Sequence, residues 1–358
     1  MLRAAASRCA RGAVRRLSSS AAAEASPVAV GSRRNPLVDE GDWSYYREWW
    51  GEEDGPGEGA QTVFRRYSEC GNGVVSVSAY PASHVKSMVS AGLTALPCSS
   101  YDLPQAASGQ NTMKILCIGH GGGTLPLFLA SKFRGATIHI VEIDPVVVSA
   151  SIESMGFPMS SVKGLSSESM LPADADDLLW GGIHDRIFLH IADAEDFIAN
   201  DSNEYDIVFI DAYDGDDVFP RKLWDVDGAF MKNLEKKVHP IHGAVVVNLH
   251  SDSELPASEA EGNADFQSIL PMGRHVSQVC RAYKQHFGLA FTAAVPWLCN
   301  ITLVACRDKG MTSGACLGLS HRDFVLGKLL SRSDMVERAL DLPFPCLPYI
   351  KNGFTMVH

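Results

Sequence analysis

The chain has 358 residues, 46% hydrophobic and 20% charged, a composition that can build a sizeable core and excludes a disordered or collagen-like chain. Its formal net charge is −11, and without residues 1–34, which hold seven arginines and one glutamate, 24 bases would face 41 acids, a net charge near −17. So acidic a body excludes general affinity for a phosphate backbone and favours a cationic partner: a protein amine, a basic peptide tail or a polyamine.

The first 23 residues carry Arg3, Arg8, Arg11, Arg15 and Arg16, many Ala and Ser, and no acid before Glu24. An Arg- and Ser-rich, acid-poor leader predicts a transit peptide over 1–34, for the mitochondrion or alternatively the chloroplast. Residues 35–110 then form an N-terminal region. Its aromatic cluster (Trp43, Tyr45, Tyr46, Trp49, Trp50) reads as a docking helix, and the Gly- and acid-rich run Gly51–Gly59 as a connector. Gln61–Ser68 and Val74–Ala79 read as a small hairpin, His84–Leu96 as a helix closed by Pro97, and Ser99–Asn111 as a polar loop.

From residue 111 to 310 short β-branched runs alternate with helical segments. The strands are Ile115–Ile118, Thr137–Val141, Ile187–Ile191, Ile207–Ile210 and Ala244–Leu249, and the helices are Leu125–Lys132, Val146–Ser154, Ala194–Ala199 and Ala229–Lys237. Near-continuous apolar strands alternating with helices predict an α/β domain, a mostly parallel sheet covered on both faces. Leu289–Val295 and Ile301–Cys306 add an antiparallel pair, giving seven strands. The apolar stretch Phe287–Cys306 is broken by Pro296 and Asn300 and reads as those two strands rather than a membrane span. Met159–Asp185 and Ser251–Asn263 read as surface insertions, and residues 311–358 as a C-terminal helical extension. Nine cysteines without any C-x-x-C pair point to reduced, mostly buried thiols. The twelve histidines show neither H-x-x-x-H nor H-E-x-x-H, so no metal site is expected, and no G-x-S-x-G elbow suggests a serine hydrolase.

The chemistry concentrates at four strand ends. The first strand runs into Gly119-His120-Gly121-Gly122-Gly123 and then a helix, a turn that brings backbone N–H groups and a helix N-terminus close to a ligand. Glu142 follows Gly119 by 23 residues, at the end of the second strand, where an acid can accept both hydroxyls of a ribose; the alternative is a solvated strand end. Asp144 and Pro145 read as the cap and first residue of the next helix. Asp193, ending the third strand, is a candidate acceptor for the amine of adenine or else a helix cap. Asp211, ending the fourth, is a candidate for orienting an amine and accepting its proton. Asp214 is a second catalytic candidate, read otherwise as a loop acid with Asp216 and Asp217. His120 reads as a packing residue.

Taken together, these stretches resemble the spermidine synthase-like branch of the class I S-adenosylmethionine-dependent methyltransferases. His84–Leu96, Gly121–Phe128, Val141–Pro145 and His190–Asp193 are similar to those of members that methylate the N-terminus of a protein. The resemblance implies a Rossmann-like fold and S-adenosyl-L-methionine as cofactor. It also implies roles: Gly119, Gly121, Gly122 and Gly123 for the methionine portion, Glu142 for ribose, Asp193 for adenine and Asp211 for the nucleophile. Polyamine-forming members carry an Asp where this chain has Gly122. An acid there would repel the cofactor's α-carboxylate by roughly 1–4 kcal/mol, so methyl transfer to a protein amine or small amine is expected over aminopropyl transfer. Two other readings stay open. Cys117, where many methyltransferases place an acid, is compatible with a catalytically silent assembly factor, and the glycine turn with Glu142 would also suit a nicotinamide-dependent dehydrogenase. No nucleic-acid or membrane partner is expected; the chain is compatible with a homodimer.

Overall fold

The computed structural model describes residues 2–4, 62–68, 73–78, 83–164, 180–214, 218–252, 272–296, 299–307 and 320–358, the first three stretches by their backbone alone. The basic leader beyond Leu2–Ala4, the aromatic cluster, the Gly51–Gly59 run, most of the two expected insertions, and Asp216 and Asp217 lie outside the described residues.

Strands β1 (Leu2–Ala4), β2 (Thr62–Ser68) and β3 (Gly73–Ser78) form a three-stranded antiparallel sheet in the order β1-β3-β2, so the expected hairpin is joined by a strand from the expected leader. Helix α1 (Ser83–Cys98) follows and runs one residue past Pro97. The expected polar loop instead contains a short helix, α2 (Leu103–Ser108). Asp102 accepts from Gln105 N–H at its start and Gly109, with φ +83°, closes it. These local signals ended the helix so quickly that no hydrophobic period could form.

The main sheet has eight strands rather than seven. They are β4 (Met113–Ile118), β5 (Ala136–Glu142), β6 (Ile187–Ile191), β7 (Ile207–Ile210), β8 (Ala244–His250), β9 (Gly288–Ala294), β10 (Asn300–Arg307) and β11 (Thr355–Met356), in the order β11-β9-β10-β8-β7-β4-β5-β6. β6, β5, β4, β7 and β8 are mutually parallel, whereas β10 runs antiparallel to both β8 and β9. The extra strand comes from the expected helical extension: Thr355 and Met356 pair with Thr292 and Phe291 of β9. Two residues carry no alternation of their own, and only the β9 edge makes them a strand.

Helices cover both faces. On one lie α1, α2, α3 (Thr124–Lys132) and α8 (His321–Leu340), packed against side chains such as Ile115, Ile138, Phe209 and Val246. On the other lie α5 (Ala194–Asn200), α6 (Ala229–Lys237) and α7 (Arg274–Phe287), against Leu116, Val208, Val245 and Leu303. Successive strand residues thus feed alternate cores, which is why β4, β7 and β8 read as unbroken apolar runs. Helix α4 (Pro145–Met155) packs between β5 and the small sheet. The stretch Phe287–Cys306 is the end of α7 followed by β9 and β10, and among the described residues no helix is long and apolar enough to cross a membrane. Cys98, Cys117, Cys280, Cys306 and Cys346 are buried and outside any disulfide, and burial pushes Cys98, Cys280 and Cys346 up to about 12.

Candidate functional site

The four candidate strand ends lie side by side on the carboxyl edge of β6, β5, β4 and β7, where open α/β sheets bind their ligands. Register sets their level: Ile118 pairs with Val141 on one side and Ile210 on the other, so Gly119, Glu142 and Asp211 leave the sheet together. Three interstrand gaps separate the outer strands, about 14 Å at the usual spacing.

The glycine turn is locked to its neighbours. Gly119 N–H donates to Val141 O (2.9 Å) and Asp211 N–H to Ile118 O (2.8 Å). Gly119 has φ +86°, and a Cβ there would stand 2.1 Å from Asp211 O, so only glycine fits. Gly121 has φ +52° and its imagined Cβ meets nothing within 4 Å among the described residues, so this part of the turn faces away from them. The N–H groups of Gly121 and Gly122 have no acceptor among the described residues. Gly123 is the N-cap of α3 and makes no side-chain cap bond, whereas α4 and α5 are capped by Asp144 and Asp193. A helix start with unsatisfied N–H groups beside a void is suited to a carboxylate or phosphate.

Glu142 is 8% exposed and ties the turn down: Oε2 accepts from His120 N–H and Oε1 from Asp144 N–H, each at 2.9 Å. Burial raises its carboxyl above the usual range, and the two N–H groups oppose that rise. Each oxygen keeps a second lone pair. His120 packs under the turn, its ring edge-on to Phe157 at 4.5 Å and its Nε2 2.7 Å from Ser151 Oγ. Because Ser151 Oγ donates to Val148 O, the proton between the two side chains sits on His120 Nε2, leaving Nδ1 a buried acceptor with no donor among the described residues. Burial lowers His120 to about 3, so the ring is neutral.

Asp193 fills the cap role, accepting from Glu195 N–H at 2.8 Å, and its other oxygen pairs with Lys222 Nζ from the turn before α6. Burial raises its carboxyl, but the Lys222 and Glu195 hydrogen bonds prevail and hold it below the usual range. Asp211 accepts from Asn248 Nδ2 at 2.8 Å, and His84 Nε2 lies 3.4 Å from its other oxygen. Here too burial acts upward and is overcome by His84 and Asn248, so the carboxylate stays ionised. Tyr213 donates to Asn248 O (2.6 Å) and stacks on His250 at 4.2 Å, a flat wall beside Asp211. Asp214 is exposed and accepts from Val218 N–H at 2.8 Å, turning into its own loop. The structure therefore joins the turn, Glu142 and Asp211 directly, places Asp193 further along the same edge, and leaves Asp214 aside. Lys222 and Asn248 had no sequence signal of their own, and His84 was read only within the stretch His84–Leu96 and not as a site residue, since each reaches the site from an element remote in the chain.

The strand order and the glycine turn at its carboxyl edge define a Rossmann-like domain. No protein-family model matches it. It is similar to the eEF1A lysine and N-terminal methyltransferases of Bos taurus (31% identity over 107 residues, 28% of this chain and 12% of the relative) and Homo sapiens (26% over 209 residues, 55% and 23%). The chain thus spans under a quarter of the length of the curated relatives it matches. Among solved structures it is similar to human methyltransferase-like protein 13 in complex with SAH (TM-score 0.47, 21% identity, covering 73% of this chain and 93% of that one). It is also similar to spermidine synthase from Thermotoga maritima (TM-score 0.42, 12% identity, 78% and 88%).

Proposed function

We propose that this chain is an S-adenosyl-L-methionine-dependent methyltransferase acting on a protein amine, in the mitochondrion or alternatively the chloroplast. The observation that carries the reading is the glycine turn: an uncapped helix start, a glycine that faces a void, and no acid in the turn to repel an α-carboxylate. In this reading Gly119–Gly123 hold the methionine portion, the free lone pairs of Glu142 the ribose, and Asp193, sharing its carboxylate with Lys222, the adenine. The bound cofactor would supply an electrophilic methyl on a sulfonium centre. Asp211 then receives the acceptor nitrogen and orients it, and most of the acceleration comes from that positioning. Two further lines agree with a cationic protein acceptor. The chain's net charge is −11, and its curated relatives are named for methylating a protein at lysine and at its N-terminus. The basic, acid-free leader motivates the organelle.

Calorimetric titration with S-adenosylmethionine and its decarboxylated analogue tests the cofactor, and transfer of labelled methyl into a mitochondrial extract tests the reaction. The expected result is a preference for S-adenosylmethionine of at least roughly tenfold, about 1.4 kcal/mol, with label entering protein. Preference for the decarboxylated analogue, with aminopropyl transfer to putrescine, would overturn the reading in favour of polyamine synthesis.

A further inference from the structure

His84 opens α1, ahead of the sheet that carries the strand-end acids, yet its ring reaches Asp211, with Nε2 3.4 Å from Oδ2. The opposite side of that carboxylate is fixed by amides. An ionised carboxylate only accepts, so Asn248 must present its NH2 to Oδ1, and its own Oδ1 then accepts from Asn300 Nδ2 at 3.0 Å. Asn300 Oδ1 ends this chain of bonds as a buried acceptor with no donor among the described residues. Amides orient Asp211 and cannot take up a proton. The imidazole can. His250, at the end of β8, also acts on the charge of Asp211, and some 31% of the Asp211 side chain and 17% of His84 remain exposed. Nothing among the described residues bonds His84 Nδ1.

The inference rests on the methyl-transfer reading. An ammonium has no lone pair with which to attack, so the acceptor must lose a proton first, and a carboxylate held below its usual range holds that proton poorly. We propose that His84 is the base of the reaction, with Asp211 as its anchor. The carboxylate accepts from Nε2–H and so fixes the tautomer that leaves the lone pair on Nδ1. The acceptor's N–H bond breaks, its electron pair stays on nitrogen, and the proton moves to Nδ1 through one water, because the nitrogen held at Asp211 lies on the other edge of the ring. Asp211 then faces an imidazolium across a short contact. The free amine attacks: the N–C bond forms, the C–S bond breaks, and that pair remains on sulfur. An aspartate that only orients the amine needs no imidazole beside it.

The test compares the parent with His84→Gln, whose terminal amide still donates to Asp211 but takes up no proton. Cofactor affinity is measured by calorimetry, and initial rates of label incorporation into one mitochondrial extract are measured from pH 6 to 9 at saturating cofactor. The variant should bind cofactor within twofold of the parent and transfer label on the order of 100-fold more slowly near neutral pH. The deficit should shrink as rising pH delivers the acceptor already deprotonated. A variant with parental rates, or with one fixed deficit at every pH, overturns the base role and leaves the methyltransferase reading intact. A parent that takes up cofactor and labels nothing overturns both. His84→Asn serves as the second variant should His84→Gln not fold.

Discussion

Two glycines of one turn, Gly119 and Gly121, separate architecture from binding. Alanine at 119 would drive its Cβ into the Asp211 carbonyl at 2.1 Å, so Gly119→Ala should give no soluble folded protein. Alanine at 121 meets no atom of the described residues within 4 Å and pays only for its left-handed backbone, about 1–2 kcal/mol. Gly121→Ala should therefore fold with a modestly lower Tm and lose cofactor affinity by tenfold or more, measured by calorimetry; unchanged affinity would remove the turn from the site. His120 supplies a pH dependence. Its folded pKa of about 3 lies below the ordinary 6.5, so between these values the unfolded chain binds a proton that the folded chain refuses. Stability should fall as pH drops through that window, by at most about 1.4 kcal/mol per pH unit for this one group. His139, lowered to about 4 by burial and by His190 beside it, adds to the same slope. Denaturant melts at pH 7 and 5 should show the loss, and His120→Gln should flatten it. The packing role of His120 and the cap role of Asp144 were readable from the sequence, because turn and cap chemistry are local. The bonds of Glu142 to the turn were not, since they depend on how β4 and β5 are set side by side.

Among the elements, α3 shows how one helix serves two ends. Its start is left open toward the void, while its end is closed by Arg186, which donates to Ala130 O at 2.8 Å and Phe133 O at 2.6 Å and reaches Ala136 O at 3.3 Å. Charged hydrogen bonds to buried carbonyls contribute about 1.5–3 kcal/mol. Arg186→Ala should lower unfolding free energy by roughly that amount in denaturant melts, with cofactor affinity unchanged because the loss lies at the far end of the helix. A fall in affinity as large as that of Gly121→Ala would show that the whole helix, not its first turn, forms the site. The sequence placed α3, α6, β6 and β7 within a residue or matched their bounds, since their apolar runs are long against their breaks. Helix α7 was equally legible, with Val276, Val279, Cys280, Tyr283 and Phe287 recurring on one buried face, and passed unread behind the polar stretch before it.

At the scale of the molecule, the mostly parallel sheet and its two helical layers followed from alternation of apolar runs and helices, as the sequence suggests for any covered parallel sheet; the order of its strands did not. What escaped was whatever depends on distant pairing: the eighth strand, which exists through β9, and the approach of α1 that carries His84 to β7. The contact between Gly119 and Asp211 has a last consequence for how ligands succeed one another. No slack separates the turn from the neighbouring strand end, so a shift on either side is felt on the other. On the proposed reading, cofactor and acceptor would then not be independent occupants: by whatever factor the first sharpens affinity for the second, the second must sharpen affinity for the first.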